Sequence, residues 1–139
     1  NNLLFSTEKN IGFIQFDIWK FKIINDLYGE KFGDEILDFI SKQLDEMCTE
    51  EQFHIKLSSD IFMVVMEYGA EEELVEFVQT LDSRINNFKN VKQQMAYGIY
   101  AVEDKSMEQR QMGDRATMAR KAAKNNILGN IVFYKEQFK

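Results

Sequence analysis

One short segment near the start of the chain constrains the fold more than any other part of the sequence. Residues 12–18 read GFIQFDI and are apolar on both faces except at Gln15 and Asp17. A strand with one exposed face alternates apolar and polar residues, whereas a run that is apolar on both faces predicts a central, covered strand. We therefore expect a sheet with helices packed on both of its faces.

The rest of the chain supplies the elements that such a sheet needs. Apolar residues recur at helical spacing in four segments, and alternating or continuous apolar runs indicate four further strands. Their order is β-α-α-β-β-α-β-α-β, which predicts an α/β (α+β) fold with a central, mixed five-stranded sheet flanked by helices. The predicted helices are 20–28, 34–47, 71–85 and 107–124, and the further strands are 53–57, 61–66, 94–102 and 131–134.

Composition limits the classes of function. The chain has 139 residues, enough for one domain with a single core, and its net charge of −6 disfavours binding to the phosphate backbone of DNA or RNA. Cys48 is the only cysteine, so an intrachain disulfide is impossible and a cysteine-based zinc site is not expected. No apolar run reaches the ~18–20 residues that a membrane-spanning helix needs. We expect a cytoplasmic domain with no membrane contact within this segment.

Three polar side chains are predicted to lie at one end of the sheet, where ligands of open α/β sheets gather. Asp17 ends the first strand, Asp60 lies in the hairpin turn 58–60, and Asn25 follows one to two helical turns after Asp17. If the first strand neighbours this hairpin, the two carboxylates converge and require a cation or a proton. Oxygen ligands favour Mg²⁺, which commonly bridges to phosphates. A strand-end Asp can also be a solvated cap, so these residues alone leave both interpretations open.

The order of residues from Asp17 onward resembles a known family. Residues 17–37 resemble the opening of the GGDEF domain, the diguanylate cyclase family, which reads roughly D-[IL]-D-x-F-K-x-[IV]-N-D-x-[YF]-G-x-x-x-G-D-x-x-L. Trp19 stands where the family has its second Asp, and the spacing is kept without a gap. The matching residues are Asp17, Phe21, Lys22, Asn25, Asp26, Gly29, Gly33, Asp34 and Leu37.

Later segments extend the resemblance to about residues 11–134. KLSSDIF, at 56–62, lies where the family has [RK]-x-G-G-[DE]-E-F, and MAYGIYAV resembles its S-I-G-[IV] strand. GDRATMARKAAKNN, with IVFY after it, resembles the closing A-D-x-A-[LM]-Y-x-A-K-x-x-G-[RK]-N…Y segment. The resemblance implies a nucleotide-cyclase-like fold with a ferredoxin-like core.

Members of this family join two GTP molecules into cyclic di-GMP across two facing subunits, and two metal ions offset the developing charge. The resemblance therefore implies GTP and Mg²⁺ as ligands and a homodimer as the reacting form. It also implies roles for individual residues. The implied metal ligands are Asp17, the Ile18 backbone carbonyl and Asp60; the implied guanine contacts are Asn25 and Asp34; and the implied phosphate contacts are Lys22 and Lys121.

The catalytic signature departs from the family. Ser58 and Ser59 replace two glycines, which allow positive φ and a close approach of backbone N–H groups to a triphosphate. Ile61 replaces the second acid and can neither bind Mg²⁺ nor accept a proton. Only Asp60 and Phe62 of the signature remain. The site thus loses one metal ligand at Ile61 and, at Asn125, a cationic contact to phosphate. Such a loss from a phosphoryl-transfer site should cost roughly a thousandfold or more in rate.

Two departures lie outside the signature. Asn125 stands where a cationic phosphate contact is usual. The family's product-inhibition motif, R-x-x-D, falls on Thr49-Glu50-Glu51-Gln52 and is absent. The absence fits a protein that has no product to sense.

We therefore predict a degenerate, catalytically inactive GGDEF domain that serves cyclic di-GMP signalling as a regulatory or interaction module, with GTP binding retained in one version of this hypothesis. In a purely structural alternative, Asn25 and Asp34 only cap helices. The other alternative is an active cyclase that makes cyclic di-GMP. Arg120, Lys121 and Lys124 either face phosphates or are solvated on the polar side of a helix.

The start of the chain also differs from the family. NNLLFSTEKN lacks the D-x-L-T-G-L-x-N-R segment that usually precedes the first strand. We expect residues 1–139 to be a single domain from a longer, multidomain signalling protein. By analogy with related proteins, the expected neighbour is an EAL phosphodiesterase domain.

Overall fold

A single five-stranded sheet organises the part of the chain that the structure, a computed structural model, describes: residues 9–124 and 129–135. Four α-helices and one short 3₁₀ turn, Phe88–Asn90, connect its strands. The strands are β1 (Asn10–Ile18), β2 (Gln52–Lys56), β3 (Ile61–Tyr68), β4 (Met95–Ala101) and β5 (Ile131–Phe133), and the helices are α1 (Phe21–Tyr28), α2 (Glu30–Met47), α3 (Glu71–Ile85) and α4 (Gln109–Ala123).

The strand that was predicted to be central lies at the centre of the sheet. The strand order is β2-β3-β1-β4-β5, and every residue of β1 after Asn10 is buried. β1 is antiparallel to both of its neighbours, β2 is antiparallel to β3, and β5 is parallel to β4. The sheet is therefore mixed, and the predicted fold and element order are confirmed.

The two faces of β1 lie in different hydrophobic clusters. Ile14, Phe16 and Ile18 belong to the cluster that includes the apolar residues of α2 and α3. Ile11 and Phe13 belong to a second cluster, which includes residues of α4. Burying one large apolar side chain contributes about 1.5–3 kcal/mol, so this double coverage explains why a strand with almost no polar residues is stable here. It also means that Gln15 and Asp17, which lie on the same face of the strand as Phe13, face α4.

Gly98 sets how closely α4 approaches the sheet. A Cβ atom at this position would overlap the backbone nitrogen of Arg120 and would lie 2.5 Å from the carbonyl oxygen of Ala116. Gly98 lies opposite Gln15 in the pairing of β4 with β1. The absence of a side chain therefore lets the backbone of α4 rest directly on the strand next to β1.

The start of α2 differs from the prediction. The sequence placed this start at Asp34, but α2 begins at Glu30, directly after Gly29. Gly29 has φ 90° and ψ 155°, which ends α1 and permits a new helix at the next residue. Glu30 then lies in the first turn, where the helix dipole favours an acid. Asp34 is inside the helix, so the interpretation of Asp34 as a helix cap is wrong.

Two expectations from composition can be compared with the structure. Cys48 is a free thiol, and burial, together with the negative charge of Asp45, raises its pKa to about 11. The thiol therefore stays protonated and unreactive at neutral pH. Within residues 9–124 and 129–135, none of the helices is both long enough and apolar enough to span a bilayer.

Candidate functional site

The predicted site residues of the first strand and the hairpin lie at the same end of the sheet. β1 and β3 are neighbours, and Asp17 lies directly opposite Ile61 in their pairing. Asp60 is the next residue toward the hairpin turn, and Ile18 ends β1 opposite Met95. The prediction that the first strand neighbours the hairpin is therefore confirmed. The residue that faces Asp17 across this pair is an isoleucine.

The hairpin turn itself has an ordinary backbone. The N–H groups of Leu57 and Ser58 both donate to the carbonyl oxygen of Ile61, at 2.8 and 3.4 Å. Neither Ser58 nor Ser59 has a positive φ. Both serines are exposed, and Asp60 is half-buried. The turn therefore does not use the positive-φ conformations that a Gly-Gly pair makes accessible.

Phe62, the last residue of the signature remnant, belongs to the core. It is 1% exposed and stacks on Phe16, with ring centroids 5.4 Å apart and an interplanar angle of 14°. Aromatic pairs of this kind contribute about 0.5–1.5 kcal/mol beyond the burial of their area. The aromatic position thus anchors β3 to β1, and this role is independent of any chemistry at the turn.

Two cationic side chains, one in α4 and one directly after it, contact Asp17. The Oδ2 atom of Asp17 lies 2.8 Å from an Nη atom of Arg120 and 2.8 Å from Nζ of Lys124. The side chains of Asp17 and Arg120 are 4% and 6% exposed, and that of Lys124 is 29% exposed. Arg120 is therefore not solvated, and the solvated interpretation of this residue is wrong. The three residues form an ionic cluster at the end of β1, in which Asp17 and Arg120 are buried and Lys124 is partly exposed.

Neutral side chains hold Arg120 in this position. Its Nε–H donates to Oε1 of Gln15 at 2.8 Å, and the Thr117 hydroxyl lies 2.9 Å from the same oxygen. The Gln15 amide reaches the carbonyl oxygen of Gly113 at 3.4 Å. The guanidinium is thus fixed by an acceptor on β1 in addition to the carboxylate. Two hydrogen bonds to different side chains define its orientation.

The sequence contained a signal for this cluster. Gln15 and Asp17 are two residues apart on a strand, so they share a face. Thr117, Arg120 and Lys124 are spaced by three and four residues, so they share a face of a helix. Two polar residues on a buried strand face and three polar residues on one helix face indicate a buried polar contact. The pairing of these two faces required the tertiary structure.

The residues around Asp17 do not fit a divalent metal ion in this arrangement. Among the residues that the structure describes, no group of three or more His, Cys, Asp or Glu side chains is placed to hold a metal. Oδ2 is already paired with two cations, and Oδ1 is buried without a hydrogen-bond partner. A divalent ion about 5 Å from one monovalent cation is repelled by roughly 7 kcal/mol at an effective dielectric constant of about 20. Ile61 supplies no compensating charge.

The two residues implied for guanine recognition lie on α1 and α2, two helices that contact each other. A Cβ atom on Gly33 would overlap the side-chain oxygen of Asn25, so Asn25 packs directly against the residue that precedes Asp34. The Asn25 oxygen is buried without a partner, whereas Asp34 is exposed. The side chain of Asn25, inside α1, caps neither end of that helix. The capping interpretation therefore fails for both residues.

The implied phosphate contacts lie on two different helices. Lys22 is exposed on α1, and Lys121 is exposed on α4, next to the buried Arg120. α4 packs on one face of the sheet, and α2, which contacts α1, packs on the other. The two lysines can approach one ligand only around the end of the sheet. Asn125, the predicted substitute for a cationic contact, lies outside the described residues, as do residues 1–8 of the N-terminal segment.

The segment at the product-inhibition position forms a local turn. The backbone N–H and the hydroxyl of Thr49 both donate to Oε1 of Gln52, at 2.7 and 2.8 Å. This neutral contact stands where the family motif has an arginine and an aspartate. The turn supplies no guanidinium for a phosphate.

Comparisons with known proteins agree with this fold. The family model described as "Diguanylate cyclase, GGDEF domain" matches residues 2–128. The chain is 30% identical over 73 residues to diguanylate cyclase DosC of Escherichia coli K12, a match that covers 52% of this chain and 16% of that protein. The chain thus spans about a sixth of the length of this curated relative.

Solved structures show the same fold at low sequence identity. The active GGEEF domain of a diguanylate cyclase from Vibrio cholerae superposes with a TM-score of 0.82 and 21% identity, covering 97% of this chain and 89% of that one. The S helix-GGDEF-EAL structure of Vibrio cholerae LapD, bound to c-di-GMP, has a TM-score of 0.75 and 16% identity, covering 94% of this chain and 31% of that one.

Proposed function

Because this chain belongs to the GGDEF domain family of diguanylate cyclases, we propose that it is a catalytically inactive member that acts as a regulatory module in cyclic di-GMP signalling. The observation that supports inactivity most directly is the environment of Asp17. Its neighbour across the strand pair is Ile61, and its carboxylate is paired with Arg120 and Lys124. A phosphoryl-transfer site that depends on metal ions needs acidic ligands where this chain has hydrocarbon and cations.

We expect no cyclic di-GMP from this chain when it is incubated with GTP and Mg²⁺ or Mn²⁺ and the products are separated by chromatography. The protein should be tested at tens of micromolar or above, because two subunits must meet for the family's reaction. The active Vibrio cholerae GGEEF domain in the same assay is the positive control. Formation of cyclic di-GMP at a rate within about a thousandfold of this control would contradict the proposal.

The proposal includes retained binding of a guanine nucleotide on the side of the site formed by α1 and α2. Asn25 packs against Gly33, and Asp34 is exposed on the next position of α2. Neither side chain caps its helix. A carboxylate suits the N1–H and N2–H donors of guanine, because an ionised Asp only accepts hydrogen bonds. This arrangement supports recognition of the base without requiring the catalytic signature.

We expect millimolar GTP to raise the melting temperature of the chain and Asp34→Ala to abolish this rise. A ligand present at ten times its dissociation constant stabilises a protein by about 1.4 kcal/mol, which corresponds to a few degrees for a chain of this size. Asp38→Ala is the matched control, because Asp38 is an exposed acid one turn further along the same helix. No shift at millimolar GTP, or equal shifts in both variants, would exclude this binding mode.

A regulatory module also needs a surface that transmits its state. β2 is an edge strand, and Phe53, Ile55 and the adjoining Leu57 are 44%, 42% and 45% exposed. Alternation places the three side chains on the same side of the strand. An apolar edge of this kind is expected to be covered by a partner. We propose that the partner is a neighbouring domain of a longer cytoplasmic protein, such as the EAL domain that accompanies the GGDEF domain in LapD.

A further inference from the structure

The ionic cluster at Asp17 combines departures from the family on two separate elements. On β3, Ile61 stands at the position of the second signature acid. On α4 and directly after it, Arg120 and Lys124 stand where the family segment A-D-x-A-[LM]-Y-x-A-K-x-x-G-[RK]-N has Ala and Gly. The structure brings all of them to the same carboxylate. At these three positions, one negative charge is lost and two positive charges are gained relative to the family pattern.

We propose that Arg120 and Lys124 replace the metal ion at Asp17, so that this site binds no divalent cation. The formal charge of Asp17, Arg120 and Lys124 together is −1 +1 +1, or +1. Hard divalent cations are held by carboxylate and carbonyl oxygens, and a set of side chains with a net positive charge repels them. The internal cations already supply the positive charge that the buried carboxylate needs.

The geometry distinguishes this replacement of a metal ion from an exposed ion pair on the surface. Both cations contact the same oxygen at 2.8 Å, and the side chains of Asp17 and Arg120 are almost completely buried. Arg120 is also fixed by its hydrogen bond to Gln15. A metal ion could bind Oδ2 only after Lys124 had left and Arg120 had given up its hydrogen bond to this oxygen, and an ion at the unpartnered Oδ1 would lie close to both cations. The protein therefore provides its own cations for Asp17 in a buried, hydrogen-bonded arrangement.

One consequence rests on the proposed nucleotide binding, whereas the replacement itself does not. If GTP binds, its phosphates meet Lys124 and the neighbouring exposed Lys121 without an intervening metal ion. GTP binding should then be independent of Mg²⁺. The shift in melting temperature produced by GTP should be the same with Mg²⁺ as with EDTA.

The replacement is tested on the nucleotide-free chain by titration with Mn²⁺, with free Mn²⁺ measured by electron paramagnetic resonance. We expect the wild-type chain to show no binding below 1 mM that depends on Asp17. We expect a variant with Ile61→Glu, Arg120→Ala and Lys124→Gly to bind Mn²⁺ at least tenfold more tightly. Adding Asp17→Asn to this variant should abolish the gain. The measurement involves no nucleotide, so it is informative even if GTP does not bind.

Three outcomes would overturn the proposal. The first is wild-type binding of Mn²⁺ that Asp17→Asn weakens. The second is a folded triple variant, verified by circular dichroism, that binds no more tightly than the wild type. The third applies if the triple variant does not fold. It is a rise in the melting temperature of the wild-type chain in millimolar Mn²⁺ relative to EDTA, with no larger rise in the variant Lys124→Gln.

Discussion

Replacing Asp17 by Asn should destabilise the chain by about 3–5 kcal/mol, because it leaves a buried guanidinium without its counter-ion. The amide introduced in place of the carboxylate would also present N–H donors to Arg120 and Lys124, which are themselves donors. Lys124 can turn toward solvent, since its side chain is 29% exposed, but Arg120 at 6% cannot. For a domain of this size the melting temperature should fall by on the order of 10 °C.

The sign of this effect separates two models of the site. In an acidic metal site measured without metal, removal of one carboxylate would relieve repulsion and stabilise the fold. In the cluster described above it must destabilise. Asp38→Asn is the matched control: Asp38 pairs with Lys42 on the surface, at 3.1 Å, and its loss should cost less than about 1 kcal/mol. An equal or smaller loss in Asp17→Asn than in Asp38→Asn would contradict the cluster.

A double-mutant cycle assigns the effect to the ion pair. Arg120→Met removes the cation and retains much of the apolar volume of its side chain. Removal of both charged partners leaves no uncompensated charge, so the double variant should lose less stability than the sum of the two single variants. We expect a coupling free energy of about 1–3 kcal/mol from denaturant titration. A coupling near zero would mean that Asp17 and Arg120 act independently.

Gly98→Ala should destabilise the fold by about 3 kcal/mol or more. The added methyl group would overlap the backbone of Arg120 and would lie 2.6 Å from the carbonyl carbon of Ala119. Backbone atoms cannot rotate away as a flexible side chain can, so α4 as a whole must move off the sheet. This movement also separates Arg120 from Gln15 and Asp17. Urea titration should therefore show a lower unfolding midpoint.

A second glycine provides the control for this prediction. Gly113 lies in α4, and apart from its chain neighbours and the backbone of its own helix a Cβ atom there would have no atom within 4 Å. Gly113→Ala should stabilise the chain by about 0.5–1 kcal/mol, because alanine loses less backbone entropy than glycine in a helix. Equal effects of the two substitutions would show that close packing at Gly98 is not what holds α4 in place.

The substitutions at Asp17 and Gly98 act on one structural relationship, the approach of α4 to β1. Gly98 determines the distance, and Gln15 and Asp17 provide the acceptors at the end of that approach. The buried carboxylate of Asp17 needs a counter-charge. Arg120 of α4 supplies it, and the same contact joins the helix to the sheet.

The amino-acid sequence by itself determined the order of the elements and the central position of β1. These features depend on the local periodicity of apolar residues and on burial, and short segments such as 12–18 show both. The motif spacing also located the end of the sheet where the signature lies. It identified Ile61, Ser58 and Ser59 as departures before any geometry was known.

Only the tertiary structure decided what those departures produce. Arg120 contacts Asp17 across 103 positions of sequence, and no local pattern specifies which strand residue a helical cation will meet. The start of α2 at Glu30 was missed for a local reason, because it depends on the backbone conformation of Gly29, which the spacing of apolar residues does not show. The pairing of Arg120 with Asp17 and the position of α4 depend on how closely two distant segments can approach. Gly98, on a third segment, sets that distance.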